Sequence, residues 1–84
     1  MVKLVYFAWV RERIGLAQEE VTLPASVLTV ADLMAWLVTR GEEYAHAFEA
    51  VATIRTALDR VHAKHGALVA GAREIAFFPP MTGG

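Results

Sequence analysis

The residues with the plainest chemical potential are the last eight, Phe77-Phe78-Pro79-Pro80-Met81-Thr82-Gly83-Gly84. Neither proline can donate to a β-ladder, so Pro79 and Pro80 end any strand that the two phenylalanines belong to, and they stiffen the exit as polyproline II. Met81, Thr82 and Gly83 then carry the chain to Gly84. Glycine has no Cβ, so its backbone can pass through a tunnel in another protein where any side chain would clash. The group such a tail would deliver is the α-carboxylate of Gly84, a poor electrophile until it is activated. ATP could activate it as an acyl-adenylate, from which a sulfur donor could displace AMP and leave a thiocarboxylate. The plain alternative is a frayed terminus. With glycine usage of about 7%, a terminal Gly-Gly alone is roughly a 0.5% coincidence. Held off an aromatic strand by a stiff Pro-Pro, it is a more specific pattern.

The rest of the chain offers little competing chemistry. The absence of cysteine removes a disulfide framework, a thiol nucleophile and a thiolate metal site together. His62 and His65 stand three apart and His46 alone; without cysteines or a carboxylate cluster they read as solvated or hydrogen-bonded histidines, and no metal is expected. There is no Ser/His/Asp arrangement, P-loop or dinucleotide fingerprint, so no side chain here reads as catalytic. The net charge of −1 with scattered basic residues gives no footprint for nucleic acid. Lys64-His65 with Arg60 nearby is too short a basic run. No apolar stretch approaches the roughly 20 residues of a membrane helix, and Met1-Val2-Lys3-Leu4-Val5-Tyr6-Phe7 reads as a strand, not a signal peptide. The expectation is a soluble, cytoplasmic protein.

The elements that must position the tail follow from periodicity. With 84 residues, 56% of them hydrophobic, the chain suffices for one modest core. Residues 2–8 read as a strand, Trp9 to Ile14 as a short helix stopped by Gly15, and residues 18–23 as a strand closed by Pro24. The clearest element is a helix from Val30 to Arg40, with Val30, Leu33, Met34, Leu37 and Val38 on one stripe. Thr29 is its expected N-cap, with Asp32 completing a capping box and Leu28 stapling onto Leu33; Gly41 is expected to end it. From Glu42 a further helical turn or two would bury Tyr44, Ala47, Phe48 and Val51. Strands are then expected over Ala52 to Leu58, Val61 to Ala63 and Arg73 to Phe78, with Asp59-Arg60 turning between the first two. This pattern predicts an α+β fold with one main helix packed across a mixed sheet.

The C-terminal run resembles the ending of the small sulfur-carrier subunits of molybdopterin synthase: an aromatic pair, Pro-Pro, an apolar residue, a small polar one, then Gly-Gly. Val2 to Ala8, followed by Val10-Arg11-Glu12 and Gly15, is similar to that family's first strand and Ala-x-x-Arg-Glu-x-x-Gly segment. Ala57-Leu58-Asp59-Arg60 stands where the family has Ala-Val-Asn followed by Gln or Gly. The departures are Gly71-Ala72-Arg73-Glu74 in place of Asp-Gly-Asp-Glu, and Met81 in place of Val. The resemblance implies a β-grasp (ubiquitin-like) fold whose first and last strands are parallel neighbours, with a domain over 1–78 and an extended tail over 79–84. It implies that the tail's carboxylate is adenylated by an enzyme related to ubiquitin-activating enzymes, becomes a thiocarboxylate, and enters a large subunit. There sulfur is donated to cyclic pyranopterin monophosphate to build the molybdopterin dithiolene. ATP would be used by the activating enzyme; this chain would hold no cofactor, and the catalytic side chains would lie on the large subunit.

Strand alternation adds a partner surface. Val2, Leu4 and Tyr6 should share one face of the first strand, leaving Lys3, Val5 and Phe7 on the other. Because Lys3 and Glu74 belong outside, Phe7 and Phe78 are expected together on the open face beside the tail. That is where the resemblance puts the large subunit; a reversed alternation would instead make both phenylalanines core residues. Rival readings are a thiamine-pathway sulfur carrier, a protein-conjugating ubiquitin-like modifier, and a binding module with an inert tail. The Phe-Pro-Pro approach favours the molybdopterin carrier over its thiamine counterpart.

Overall fold

A computed structural model describes residues 1–80; Met81, Thr82, Gly83 and Gly84 lie outside the described residues. Alternation along the first strand, β1 (Val2–Tyr6), decides which way the molecule is built. Val2, Leu4 and Tyr6 are buried while Lys3 and Val5 between them are only half-buried. The next element, α1 (Ala8–Ile14), turns Val10 and Ile14 inward. It stops at Gly15, whose φ of 89° needs a residue without a Cβ and whose N–H donates to the Arg11 carbonyl at 2.8 Å. β2 (Gln18–Val21) returns antiparallel to β1, with Val21 opposite Val2.

The main helix, α2 (Val30–Val38), has the expected start. Asp32 N–H donates to Thr29 Oγ1 and Thr29 N–H donates to Asp32 Oδ2, both at 3.1 Å, satisfying two donors that a helix N-terminus otherwise leaves open. Val30, Leu33, Met34 and Leu37 are fully buried. The expected staple is not made, since Leu28 is 60% exposed. Backbone from a distant loop occupies the helix start instead: Val30 N–H reaches the Ala67 carbonyl, Ala31 N–H the His65 carbonyl, and Val69 N–H the Leu28 carbonyl. The far end also differs from expectation. Thr39 and Arg40 donate to the Trp36 and Leu37 carbonyls, a tightening that closes the helix before Gly41 is reached. Gly41, in extended backbone, instead precedes α3 (Glu42–Ala47), which with Phe48 buries Tyr44 and Ala47.

Where a strand was expected from Ala52, the chain first makes a 3₁₀ turn (Val51–Thr53), and β3 is confined to Arg55–Leu58. Thr53 Oγ1 donates to the Ala50 carbonyl at 2.8 Å, a local bond that competes with ladder formation. Asp59 and Arg60 turn the chain into β4 (Val61–Ala63) with φ of 48° and 72°, the left-handed pair of a type I′ hairpin. Asp59 Oδ1 also accepts from Arg73 N–H at 2.9 Å and Glu74 N–H at 3.0 Å. One aspartate thereby pins the hairpin to the start of β5 (Glu74–Phe78) and gives the divergent Gly71-to-Glu74 loop its anchor.

The five-stranded sheet has the order β2-β1-β5-β3-β4. β5 enters last yet lies in the middle, parallel to β1 and antiparallel to β3. The helices cover one face: the core joins Leu4, Tyr6, Ile75 and Phe77 of the sheet to Val10, Leu33, Met34, Leu37 and Phe48. This is the expected α+β architecture, a ubiquitin-like β-grasp fold.

Candidate functional site

The site is the end of β5 and the sheet face beside it. Tyr6 and Phe77 are register partners, and their rings stack with centroids 6.0 Å apart. Phe48 meets Phe77 edge-on at 5.2 Å. These three aromatic rings fix the inner side of the strand ends. One residue further on, Phe7 N–H donates to the Phe77 carbonyl at 3.1 Å, which carries the parallel pairing past β1 and sets Phe7 beside Phe78. Phe7 is 49% exposed. Phe78 is half-buried, with the His62 ring edge-on at 5.4 Å.

The helix-free face is mostly apolar at this end. Register places Val5, Ala76, Ala57 and His62 in one row across β1, β5, β3 and β4, with Phe78 and Arg55 in the next. Its far end carries the ion pair Lys3 Nζ to Glu74 Oε1 at 3.7 Å, an exposed contact worth well under about 1 kcal/mol. Phe7 and Phe78 therefore face outward, as the position of Lys3 and Glu74 predicts. Pro79 and Pro80 follow directly and are half-buried. They direct the chain off the middle strand at the aromatic end of the face, and the remainder of the predicted tail lies outside the described residues.

A partly buried polar cluster near this end escaped the sequence reading. Glu19 on β2 faces inward, its Oε2 accepting from Tyr6 OH at 2.8 Å and Tyr44 OH at 2.7 Å, while Arg40 donates to Oε1 at 3.0 Å. Burial pushes the Glu19 carboxyl up, but the hydrogen bonds from Tyr44, Tyr6 and Arg40 outweigh it and hold the group below its ordinary value. Burial, then the Glu19 hydrogen bond, pushes the Tyr44 hydroxyl up to about 12 and raises Tyr6 further. The cluster joins β1, β2 and α3; its chemistry is that of a tie, with every donor directed at one carboxylate. The available signal was Glu19 alternating onto the same face as Val21, where a carboxylate requires donors. The histidines are dispersed: His65 Nε2 contacts the Ile54 carbonyl at 2.9 Å, and His46 lies by Glu49. Among the described residues no cluster of three or more His, Asp or Glu could hold a metal ion, and no helix is long and apolar enough to cross a membrane.

A five-stranded mixed sheet with its last strand in the middle and its helices on one face places the chain in the ubiquitin-like class. The ThiS family model matches residues 4–84, and the chain belongs to that family, a ubiquitin-like sulfur carrier by fold and sequence. Among solved structures it is similar to SAMP1 from Haloferax volcanii, at 25% identity and a TM-score of 0.71 over 99% of this chain and 98% of that one. It is equally similar to a Pyrococcus furiosus protein described as molybdopterin converting factor subunit 1, at 25% identity and a TM-score of 0.72 over 95% and 97% of the two chains. A second structure of the H. volcanii small archaeal modifier protein 1, at 24% identity and a TM-score of 0.71 over 95% and 97%, has the same fold. No curated protein sequence matches the chain.

Proposed function

We propose that the chain is the sulfur-carrier subunit of a molybdopterin synthase, with the α-carboxylate of Gly84 as its working group. The observation that carries this reading is the exit of the chain from the middle strand through Phe78-Pro79-Pro80, next to the exposed Phe7. An aromatic docking face and the base of a threadable tail thereby share one end of the molecule. The Pyrococcus neighbour, a subunit by its description, supports a large-subunit partner seated on Phe7 and Phe78.

In the proposed cycle an adenylating enzyme joins the Gly84 carboxylate to AMP with release of pyrophosphate. A sulfide-level donor then displaces AMP, leaving a thiocarboxylate. Threaded through Met81, Thr82 and Gly83 into a site that excludes water, its sulfur is a good nucleophile for cyclic pyranopterin monophosphate. Incubation with the activating enzyme, ATP and a sulfur donor should add the mass of sulfur for oxygen, mapped by fragmentation to Gly84. Omitting ATP or removing Gly84 should abolish the change, and a residue appended after Gly84 should block adenylation without altering the circular dichroism. Normal adenylation of the extended chain would sink the assignment.

The similarity to SAMP1, a small archaeal modifier protein, favours one second reading, conjugation of the tail to other proteins. It predicts amide-linked adducts in cell extracts. The thiamine-pathway alternative shares the mass change; it is separated by supplying the thiocarboxylated chain to a molybdopterin synthase large subunit and assaying dithiolene formation.

A further inference from the structure

The open end of the β3–β4 hairpin holds a cleft that the sulfur chemistry does not use. The last paired residues are Thr56 and Ala63; beyond them the strands part, bridged by the His65 ring on the Ile54 carbonyl. The resulting cleft has a volume of about 530 Å³ and is lined by Arg55, Thr56, His62, Lys64 and His65, with alanines and Ile54 completing it. Three observations give it a charge preference. Among the described residues no carboxylate lines it, although acidic residues outnumber Lys and Arg in the chain. Neither Arg55 nor Lys64 has a carboxylate within ion-pair distance among the described residues. The one acid in the hairpin, Asp59, is at its other end, engaged by Arg73 and Glu74 N–H.

We propose that this cleft binds an acidic segment of a partner protein, carboxylates on the partner pairing with Arg55 and Lys64. A protein segment fits better than a free anion for two reasons. Among the described residues the lining contains no glycine, so it lacks the close-approach backbone from which phosphate cradles are commonly built. The cleft also borders β4, an edge strand with unpaired backbone groups and with Val61 68% exposed, along which an extended segment can lie. Its position gives the contact consequence: Arg55 is the register partner of Phe78, so whatever protein accepts the tail passes this cleft. An acidic segment docked here supplies steering and orientation in addition to the apolar contact at Phe7 and Phe78.

The test does not depend on sulfur transfer. The ¹⁵N-labelled full chain is titrated with hexaglutamate at low ionic strength and followed by NMR. Saturable shifts at Arg55, Thr56 and His62 to His65, lost on adding salt, are expected. Arg55→Glu with Lys64→Glu should weaken the titration by roughly tenfold or more, while the neutral pair Arg55→Gln with Lys64→Gln should fall between. Both pairs are exposed substitutions, and retained spectra elsewhere verify the fold. Arg73→Glu, an exposed basic residue outside the cleft, should leave the titration unchanged. Equal loss in Arg73→Glu, shifts that avoid the cleft, or inorganic phosphate reproducing the same shifts at the same concentration would each overturn the proposal.

Discussion

The two faces of the sheet are built from the same strands and behave as different materials. Phe77 and Phe78 are neighbours in sequence, yet Phe77 is wholly buried between Tyr6 and Phe48 while Phe78 lies on the helix-free face under the His62 edge. Apolar side chains fill the inner face, where Glu19 is bonded to two tyrosines and an arginine and the Thr56 hydroxyl has no partner among the described residues. Among the described residues the outer face has no covering element; it is mostly apolar at the Phe7 and Phe78 end and carries the Lys3–Glu74 pair at the other. Stability is thus concentrated on one side of each strand, leaving the other side free for partners. The difference is a consequence of the two-residue period of a strand.

That division can be broken most severely at Phe77. Phe77→Ala should cost about 3–5 kcal/mol, read by denaturant unfolding, because it removes a fully buried ring packed between Tyr6 and Phe48. Phe78→Glu tests the opposite face: binding to a large subunit should weaken by about 2 kcal/mol or more, while the isolated domain loses about 1 kcal/mol or less. A large fall in melting temperature would make Phe78 a core residue and remove the contrast between faces.

Glu19→Gln probes the inner polar tie. Replacing the acceptor weakens the bonds of Tyr6 and Tyr44, both buried, and should cost about 1–3 kcal/mol. The pH dependence has a definite sign. The folded-state carboxyl lies below its ordinary 4.5, so its contribution is present above that pH and is lost as pH falls through the folded value; Glu19→Gln should lack this acid-side loss. On the alkaline side Tyr44 is raised from 10.0 to about 12. Its contribution is complete below pH 10 and is lost as pH rises through the folded value. The smallest effect is expected at Thr56→Val, which removes the unpartnered buried hydroxyl at nearly constant shape. Unfolding free energy should be unchanged or rise by up to about 1 kcal/mol, and a marked loss would mean that the hydroxyl has a partner in solution.

Local rules made much of this molecule legible. The α2 stripe, its Thr29–Asp32 box, the Gly15 stop and the Asp59-Arg60 turn are each specified by residues within a few positions of one another, so sequence reasoning reaches them. The errors occur where a distant segment intervenes or where a side chain bonds nearby backbone. Leu28 misses Leu33 because the backbone of residues 65–69 occupies the start of the helix, and the strand expected from Ala52 yields to a Thr53 side-chain bond. Glu19 was overlooked because its donors come from residues 13 and 25 positions away on β1 and α3, and from Arg40.

By itself the sequence determined most of the element types, the grouping of Lys3, Val5 and Phe7 on one face of the first strand, the absence of thiols among these residues, and the Pro79-Pro80 break that ends the last strand, because each depends on residue type and short-range spacing. Only the tertiary structure decided that the row of Lys3, Val5 and Phe7 faces outward, that β2 pairs with β1 and β3 with β5, that Glu19 gathers two tyrosines and an arginine, and that the parting of β3 from β4 sets Arg55 and Lys64 around one cleft. These are contacts between segments far apart in the chain, and their geometry exists only once the helices have closed over one face of the sheet.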